Sequence, residues 1–237
     1  TLVWHRQLPR WLTEREWTRA ELTDLLRDHI MTVVGRYRGR VQHWDVINEA
    51  VEGDGSYRKS IWFKTIGPSY IEQSFRWVHE ADPDARLFYN DFQAEGLGTK
   101  SDAVYELVSE LKARGVPIHG VGLQMHIDVP GMPDPDELRA NIQRLAELDL
   151  ETHITEIDVR LPQPANAQSF ADQARVYQDV LSAALSSPHF KAFVLWGFTD
   201  RYSWIPRFFP GTGTALIFDE DYQPKPAYYA LRNALQM

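Results

Sequence analysis

The chain contains no cysteine among its 237 residues, which excludes disulfide bonds, thiolate metal ligands and a cysteine nucleophile. It also has no uninterrupted apolar run of the roughly 18 residues that a membrane-spanning helix requires. Basic residues are outnumbered, with 25 Lys and Arg against 33 Asp and Glu, and the formal net charge is −8. Because a negative field repels phosphate, we expect neither nucleic acid nor a membrane as a partner.

Several motifs that carry chemistry are also absent. The sequence has no His-Glu-x-x-His, no phosphate-binding P-loop, no Gly-x-Gly-x-x-Gly and no full calcium loop. It has no Gly-x-Ser-x-Gly turn of the kind that presents an esterase serine. The sequence therefore predicts neither a metal ion nor an organic cofactor.

Aromatic residues, by contrast, are abundant: eight Trp, ten Tyr and eleven Phe make up 12% of the chain. Hydrophobic residues account for 43% and charged residues for 24%, which is an ordinary globular composition. Disorder is excluded by this balance, and the length suffices for one large core or two small ones.

Short β-branched and aromatic runs alternate with stretches of helical period, the pattern of parallel strands joined by crossover helices. The six predicted strands are residues 1–5, 41–48, 85–91, 120–126, 151–158 and 192–198. Helices are predicted where Val104, Leu107, Val108 and Leu111 repeat at helical spacing, and where Leu138, Ile142 and Leu145 do the same. Thr18 and Glu21 form a candidate capping box at the start of another helix.

Repeated βα units around one core predict the α/β class and a (β/α)8 TIM barrel, whose usual size is about 250 residues. Only six units fill this chain, however, because the loops are long. We therefore expect strands 3 to 8 of a barrel with their helices. No linker divides the sequence, so residues 1–237 are predicted to form a single catalytic barrel domain that is incomplete at its N-terminus.

Catalytic side chains of such barrels project from the C-terminal ends of the strands. Two predicted strands carry a glutamate there, Glu49 after the strand at 41–48 and Glu156 within the strand at 151–158. A pair of carboxylates suits cleavage of a glycosidic bond, in which one protonates the leaving oxygen and the other attacks the sugar. Most glutamates are solvated surface charges, so the pair alone is a weak signal.

The residues that flank Glu49 and Glu156 strengthen the signal of the carboxylate pair. The segments WDVINE at 44–49 and ITEID at 154–158 resemble the two signatures of glycoside hydrolase family 10, the retaining endo-1,4-β-xylanases. The resemblance covers nearly the whole chain, in family order: TLVWH with Gln7, YND at 89–91, GVGLQ with His126, WG at 196–197, SW at 203–204 and KPAY at 225–228. It implies a (β/α)8 barrel that hydrolyses β-1,4-xylan with net retention.

Carried onto this sequence, the resemblance makes Glu49 the general acid/base and Glu156 the nucleophile. Retention then requires the two carboxyl groups to lie about 5 to 5.5 Å apart. His126 and Asp158 match the residues that keep the nucleophile ionised. Asn48 matches the residue that hydrogen-bonds the substrate near its 2-hydroxyl, an interaction expected to strengthen in the transition state.

The resemblance also assigns the remaining substrate-binding residues. Polar groups of the cleft are His5, Gln7 and Gln124, and the tryptophans that frame a sugar ring are Trp4, Trp196 and Trp204. Purely structural roles remain open for three of the polar residues. Asn48 could end a strand, and His5 and His126 could be core imidazoles bonded to backbone carbonyls.

The sequence departs from the family in three places. Phe92 follows YND where tyrosine is common, and Met125 precedes His126 where a small polar residue is usual. The first two βα units would lie before Thr1. Without them, strands 3 and 8 would present unpaired edges, which proteins avoid. We therefore expect that an N-terminal segment, a second chain or a dimer covers these edges.

The leading interpretation is a xylanase that acts on xylan or xylo-oligosaccharides and is secreted, because its substrate is a polymer. Two alternatives remain open at this point. One is a related retaining β-1,4-glucanase that acts on cellulose-like chains. The other is an inactive, carbohydrate-binding barrel, motivated by the sugar contacts that the first two units would supply.

Overall fold

Residues 1–236, which the computed structural model describes, alternate between strands and helices. The strands are β1 (His43–Asn48), β2 (Arg86–Asp91), β3 (Gly120–Leu123), β4 (His126–Asp128), β5 (Glu151–Pro162), β6 (Phe190–Leu195) and β7 (Thr212–Gly213). The helices are α1 (Arg10–Thr13), α2 (Arg19–Tyr37), α3 (Ile61–Ile66), α4 (Ser69–Ala81), α5 (Thr99–Ala113), α6 (Pro135–Glu147), α7 (Ala167–Leu185), α8 (Ile205–Phe208) and α9 (Pro226–Ala234).

Four predicted strands correspond to β1, β2, β5 and β6, with ends that differ by a few residues. The predicted strand at 1–5 is reduced to one parallel bridge, from Val3 to Ile47. The predicted strand at 120–126 is divided into β3 and β4. Met125 lies between them with a φ of 65°, a left-handed conformation that interrupts an extended strand.

The chain forms two units. The first comprises Thr1–Ala94, Gly98–Gly122 and Leu145–Glu151, and the second comprises Glu95–Leu97, Leu123–Arg144 and the residues from Thr152 onward. Each unit holds one of the two glutamates that the sequence singles out, Glu49 in the first and Glu156 in the second.

In the first unit, β1 and β2 are parallel neighbours and β3 lies beside β2. The register pairs Asn48 with Asn90 at the C-terminal ends of their strands. Gly120 at the start of β3 is required by close packing. A Cβ there would lie 2.2 Å from the Phe88 ring and 2.6 Å from the Glu151 carbonyl oxygen.

Helix α2 shows how local signals and packing agree. The Thr18 side chain accepts a hydrogen bond from the Glu21 amide while the Glu21 side chain caps Thr18, so the predicted capping box is confirmed. One face of the helix is fully buried and packs towards α3 and α4; its residues are Leu22, Leu26, Ile30 and Val34. The apolar faces predicted for α5 and α6 are buried as well.

In the second unit, β5 is the central strand. It pairs in parallel with β4 and with β6, and its last residues pair with β7 in antiparallel fashion. Helices α7 and α9 pack against each other. Among the described residues, no helix has both the length and the apolar character that crossing a bilayer demands.

A buried ion pair organises the long segment at 199–223. Lys225 Nζ lies 2.8 Å from Asp200 Oδ2 and donates to the carbonyl oxygens of Thr214 and Leu216 at 2.7 and 2.6 Å. Asp200 Oδ1 accepts a hydrogen bond from the Leu216 amide at 2.8 Å. Burial raises the pKa of Asp200 and lowers that of Lys225, while their mutual attraction opposes both shifts.

Replacing Asp200 with asparagine is expected to lower the free energy of unfolding by about 3 kcal/mol, because Lys225 would remain buried without its counter-charge. The measurement is a urea titration followed by circular dichroism. Asp221→Asn, an exposed site on the same segment, is the matched control and should stay within about 0.5 kcal/mol of the parent. Equal unfolding midpoints for the two variants would contradict the prediction.

Candidate active site

Glu49 follows β1 directly, in the first unit, and its backbone is left-handed with a φ of 57°. Hydrogen bonds hold this conformation on both sides. The Glu49 amide donates to the Asn90 carbonyl at 2.9 Å, and the Glu49 carbonyl accepts from Arg58 Nε at 2.7 Å. The residue is only 9% exposed. The backbone of Glu49 is thus fixed at the end of a parallel strand, where barrel enzymes place catalytic groups.

The neighbours of Glu49 include two of the predicted binding residues. Asn90 Nδ2 donates to Asn48 Oδ1 at 3.0 Å, so the amide of Asn48 is oriented by the adjacent strand. His5 Nδ1 lies 3.8 Å from Glu49 Oε2. Burial and the nearby charge of Arg58 lower the pKa of His5 to about 4, although Glu49 opposes this shift. His5 is therefore neutral at neutral pH and forms no ion pair with Glu49.

The other predicted residues of the first unit differ in their surroundings. The Trp4 ring lies edge-on to the His5 ring, with centroids 5.7 Å apart, and the Trp4 carbonyl accepts from Trp62 Nε1 at 2.8 Å. Gln7 is exposed and has a left-handed backbone with a φ of 54°. The structure thus brings Trp4, His5, Asn48 and Glu49 into one neighbourhood and leaves the Gln7 side chain in solvent.

Glu156 lies on β5 in the second unit and is 8% exposed. Its amide donates to the carbonyl of Gln124 at 3.1 Å, and Gln124 is itself buried. The backbone turns sharply after Gln124, because Met125 is left-handed. Glu95 Oε1 accepts a hydrogen bond from the Met125 amide at 3.0 Å and so stabilises this turn.

His126 connects two carboxylates. The parallel register of β4 and β5 pairs His126 with Asp158, and the ring reaches both acids of β5. Nε2 lies 3.1 Å from Glu156 Oε2, and Nδ1 lies 3.1 Å from Asp158 Oδ2. Both ring nitrogens are therefore occupied, which leaves neither for a metal ion.

Charge at His126 follows from these contacts. Burial by itself lowers the pKa of the imidazole, but the hydrogen bonds and negative charges of Asp158 and Glu156 outweigh it and raise the pKa to about 9. The ring is therefore an imidazolium at neutral pH, hydrogen-bonded through Nε2 to Glu156 and in ion-pair contact through Nδ1 with Asp158. A cation therefore contacts the buried carboxylate of Glu156.

Two predicted tryptophans surround this group. Trp204 Nε1 donates to Asp158 Oδ2 at 2.7 Å, and its ring centroid lies 4.9 Å from that of His126. The Trp196 ring lies 6.1 Å from His126 and is about half exposed, at 49%. The Trp196 indole therefore presents a flat, half-exposed apolar surface beside His126.

Sequence reasoning missed the residues that hold the backbone at these positions. Arg58 and Glu95 contact the main chain beside Glu49 and at Met125, and neither belongs to a motif quoted above. Tyr89 and Asp91 belong to the YND segment, which gave a signal but no role. The role of Arg58 and Glu95 depends on contacts that no local pattern encodes.

Comparison with known proteins identifies the family. The family model described as "Glycosyl hydrolase family 10" matches residues 1–234. The chain belongs to glycosyl hydrolase family 10. It is 50% identical over 237 residues to endo-1,4-β-xylanase B of Thermotoga neapolitana, covering all of this chain and 68% of that protein.

Solved structures of family members are similar throughout the chain. Native xylanase 10B from Thermotoga maritima has a TM-score of 0.97 and 53% identity, covering all of this chain and 73% of that structure. Xylanase 10B from Thermotoga petrophila, solved in complex with xylobiose, has the same TM-score and 52% identity. The match covers all of this chain and 72% of that structure. The predicted α/β class, that of (β/α)8-barrel glycoside hydrolases, is confirmed.

The imidazole of His126 is expected to stay protonated to about pH 9, whereas that of His5 titrates near pH 4. Nuclear magnetic resonance of the labelled rings measures both. Asp158→Asn should lower the pKa of His126, since one negative partner is lost, and leave that of His5 unchanged. An imidazole at position 126 that loses its proton near pH 6.5 would contradict the assignment.

The same shift gives the sign of a stability effect. A histidine whose pKa is raised on folding stabilises the native state fully below its unfolded value, about pH 6.5. This contribution falls as the pH rises towards 9 and is absent above it. His126→Gln should therefore lower the free energy of unfolding more at pH 6 than at pH 10, as measured by urea titration at both values.

Proposed function

We propose that residues 1–237 provide the catalytic domain of a retaining endo-1,4-β-xylanase, which hydrolyses internal β-1,4-xylosidic bonds of xylan by double displacement. The observation that carries the proposal is the contact between Glu156 and a protonated His126, which is anchored in turn by Asp158. A buried carboxylate beside a fixed cation is suited to act as a nucleophile, because the cation offsets the cost of keeping it ionised.

In the first step, Glu156 attacks the anomeric carbon and forms a glycosyl-enzyme ester while the bond to the leaving oxygen breaks. Glu49 gives its proton to that oxygen, which leaves as the hydroxyl of the departing sugar. Asn48 lies directly before Glu49, with its amide oriented by Asn90. A hydrogen bond from Asn48 to the sugar 2-hydroxyl would strengthen as positive charge develops on the ring.

In the second step, Glu49 acts as a general base. It takes a proton from water while the water oxygen attacks the anomeric carbon and Glu156 departs as a carboxylate. Two inversions at one carbon give net retention. The contact of His126 with Asp158 does not involve the reacting atoms, so it persists through both steps.

The substrate class rests on family membership and on the aromatic surface of the second unit. The Thermotoga neapolitana relative is an endo-1,4-β-xylanase, and the Thermotoga petrophila structure contains xylobiose. Trp196 and Trp204 offer indole faces next to His126. Stacking on a pyranose ring buries apolar carbon surface and leaves the hydroxyls free for Gln124, His5 and Asn48.

Glu156→Ala is expected to reduce hydrolysis of xylan by about 10⁴-fold or more, the range for loss of a residue that acts in covalent catalysis. Reducing sugar released from xylan measures the rate, and circular dichroism checks the fold. Glu151→Ala, at the partly buried start of the same strand, where Glu151 pairs with Arg86, is the matched control and should retain activity. Rates equal to the parent in Glu156→Ala would exclude the assigned nucleophile.

The substrate is tested separately with the parent protein. Faster release of reducing sugar from carboxymethyl cellulose than from xylan would favour a β-glucanase.

The stereochemistry of the first product tests the double displacement separately. Proton magnetic resonance of xylo-oligosaccharide hydrolysis should show the β anomer before mutarotation sets in, because retention preserves the configuration of the cleaved bond. Initial appearance of the α anomer would mean a single displacement. Binding without turnover would instead favour a carbohydrate-binding protein.

A further inference from the structure

Three polar side chains of the first unit are buried behind Glu49 and have no part in the mechanism above. They are Tyr89 and Asp91 at the end of β2 and Lys100 in the first turn of α5. The first two are fully buried, and Lys100 is only 5% exposed. Burying a carboxylate and an ammonium is costly unless each is well paired, so their contacts indicate what they stabilise.

The three groups form one connected chain of contacts. Lys100 Nζ lies 2.7 Å from Asp91 Oδ1, which also accepts from the Phe92 amide at 2.9 Å. The Tyr89 hydroxyl donates to the other oxygen, Asp91 Oδ2. Lys100 Nζ further lies 3.7 Å from the centre of the Phe92 ring, in a cation–π contact. Both oxygens of the carboxylate are thus used.

The far end of the chain is the backbone beside Glu49. The Tyr89 hydroxyl accepts a hydrogen bond from the Ala50 amide at 3.1 Å, across 39 positions of sequence. Ala50 is buried, so without Tyr89 this amide would lack a partner. The peptide that joins Glu49 to Ala50 is therefore held at both of its polar atoms, by Arg58 on the carbonyl and by Tyr89 on the amide.

This peptide follows a residue in an unfavourable conformation. Glutamate with a φ of 57° is strained, and such a conformation persists only where surrounding contacts impose it. Burial raises the pKa of Tyr89 well above its usual value, so its hydroxyl keeps the proton that it donates to Asp91. Because that proton is committed to Asp91, the lone pairs of the hydroxyl face the Ala50 amide.

We propose that Tyr89, oriented by the Asp91–Lys100 ion pair, is a positioning residue that holds the Glu49 carboxyl group in place for proton transfer. The inference rests on the proposed function, in which Glu49 is the general acid and base. Tyr89 touches neither substrate nor the reacting atoms. It acts through the Ala50 amide on the backbone that carries the acid.

The role predicts a kinetic signature that general destabilisation does not produce. A misplaced acid slows cleavage only where the leaving oxygen needs a proton, and a displacement of about 1 Å can cost roughly a hundredfold. A phenyl leaving group needs that proton, whereas a dinitrophenyl leaving group departs without it. The value of kcat/KM reports bond cleavage for both substrates.

The test compares phenyl and dinitrophenyl β-xylobiosides as substrates of the parent protein and of Tyr89→Phe. The variant removes one oxygen and keeps the ring. We expect kcat/KM to fall by about 10- to 100-fold for the phenyl substrate and by less than about twofold for the dinitrophenyl substrate. If the ratio of the two kcat/KM values is the same in a folded Tyr89→Phe variant as in the parent, the proposal is overturned.

Tyr177→Phe is the matched control. Tyr177 is an equally buried tyrosine of the second unit, and its hydroxyl donates to the Ala215 carbonyl at 2.8 Å. Loss of the Tyr177 hydroxyl should change kcat/KM for both substrates by the same factor. If Tyr89→Phe fails to fold, the double variant Asp91→Asn with Lys100→Met removes the ion pair as a unit. It should show the same selective loss on the phenyl substrate, and a parallel loss on both would overturn the proposal.

Glu49→Ala, assayed beside these variants, separates the two levels of inference. If Glu49→Ala shows the selective loss and Tyr89→Phe does not, the positioning role is wrong and the proposed function stands. If Glu49→Ala itself shows no difference between the substrates, the assignment of Glu49 as the acid fails, and the positioning role fails with it.

Discussion

The imidazolium of His126, held between Glu156 and Asp158, is the interaction on which the charge balance of the second unit depends. All three side chains are largely or fully buried, and two negative groups that close would repel each other without the ring between them. The pairing also fixes geometry, because the register of β4 on β5 brings His126 beside Asp158. Trp204 adds a donor to Asp158 and thereby connects the aromatic segment after β6 to the same carboxylate.

In the first unit, hydrogen bonds from distant residues fix the backbone around Glu49. This glutamate lies on a strained backbone, and the constraint there is conformational. Hydrogen bonds from Arg58 and to Asn90 and Tyr89 fix the peptides on either side of Glu49. Each unit also contains a buried ion pair. Lys100 pairs with Asp91 in the first unit, and Lys225 pairs with Asp200 in the second. In each pair the cost of burial is offset only while both partners are present, so the pairs favour one arrangement of the chain over looser ones.

The structure shows the contacts of two residues that depart from the family pattern, Phe92 and Met125. Phe92 replaces a tyrosine that is common in the family, and its ring lies against the ammonium of Lys100. Met125 replaces a small polar residue and is fully buried, with a left-handed backbone stabilised by Glu95. Phe92 therefore lies beside the Asp91–Lys100 ion pair, and Met125 lies at the turn before His126. Neither change removes a carboxylate from the proposed chemistry.

The sequence by itself determined the elements whose signals are local. The capping box at Thr18, the apolar faces of α5 and α6 and the alternation of strands with helices all depend on residues within a few positions of one another. The motifs at 44–49 and 154–158 gave the family and the two glutamates. Only the tertiary structure decided the division of the strand at 120–126, the charge of His126 and the hydrogen bond from the Ala50 amide to Tyr89. Each of these depends on contacts between residues 30 or more positions apart, such as Glu95 with Met125, His126 with Glu156 and Tyr89 with Ala50. A pattern read along the chain carries no information about such contacts, because they form only when folding removes both partners from water.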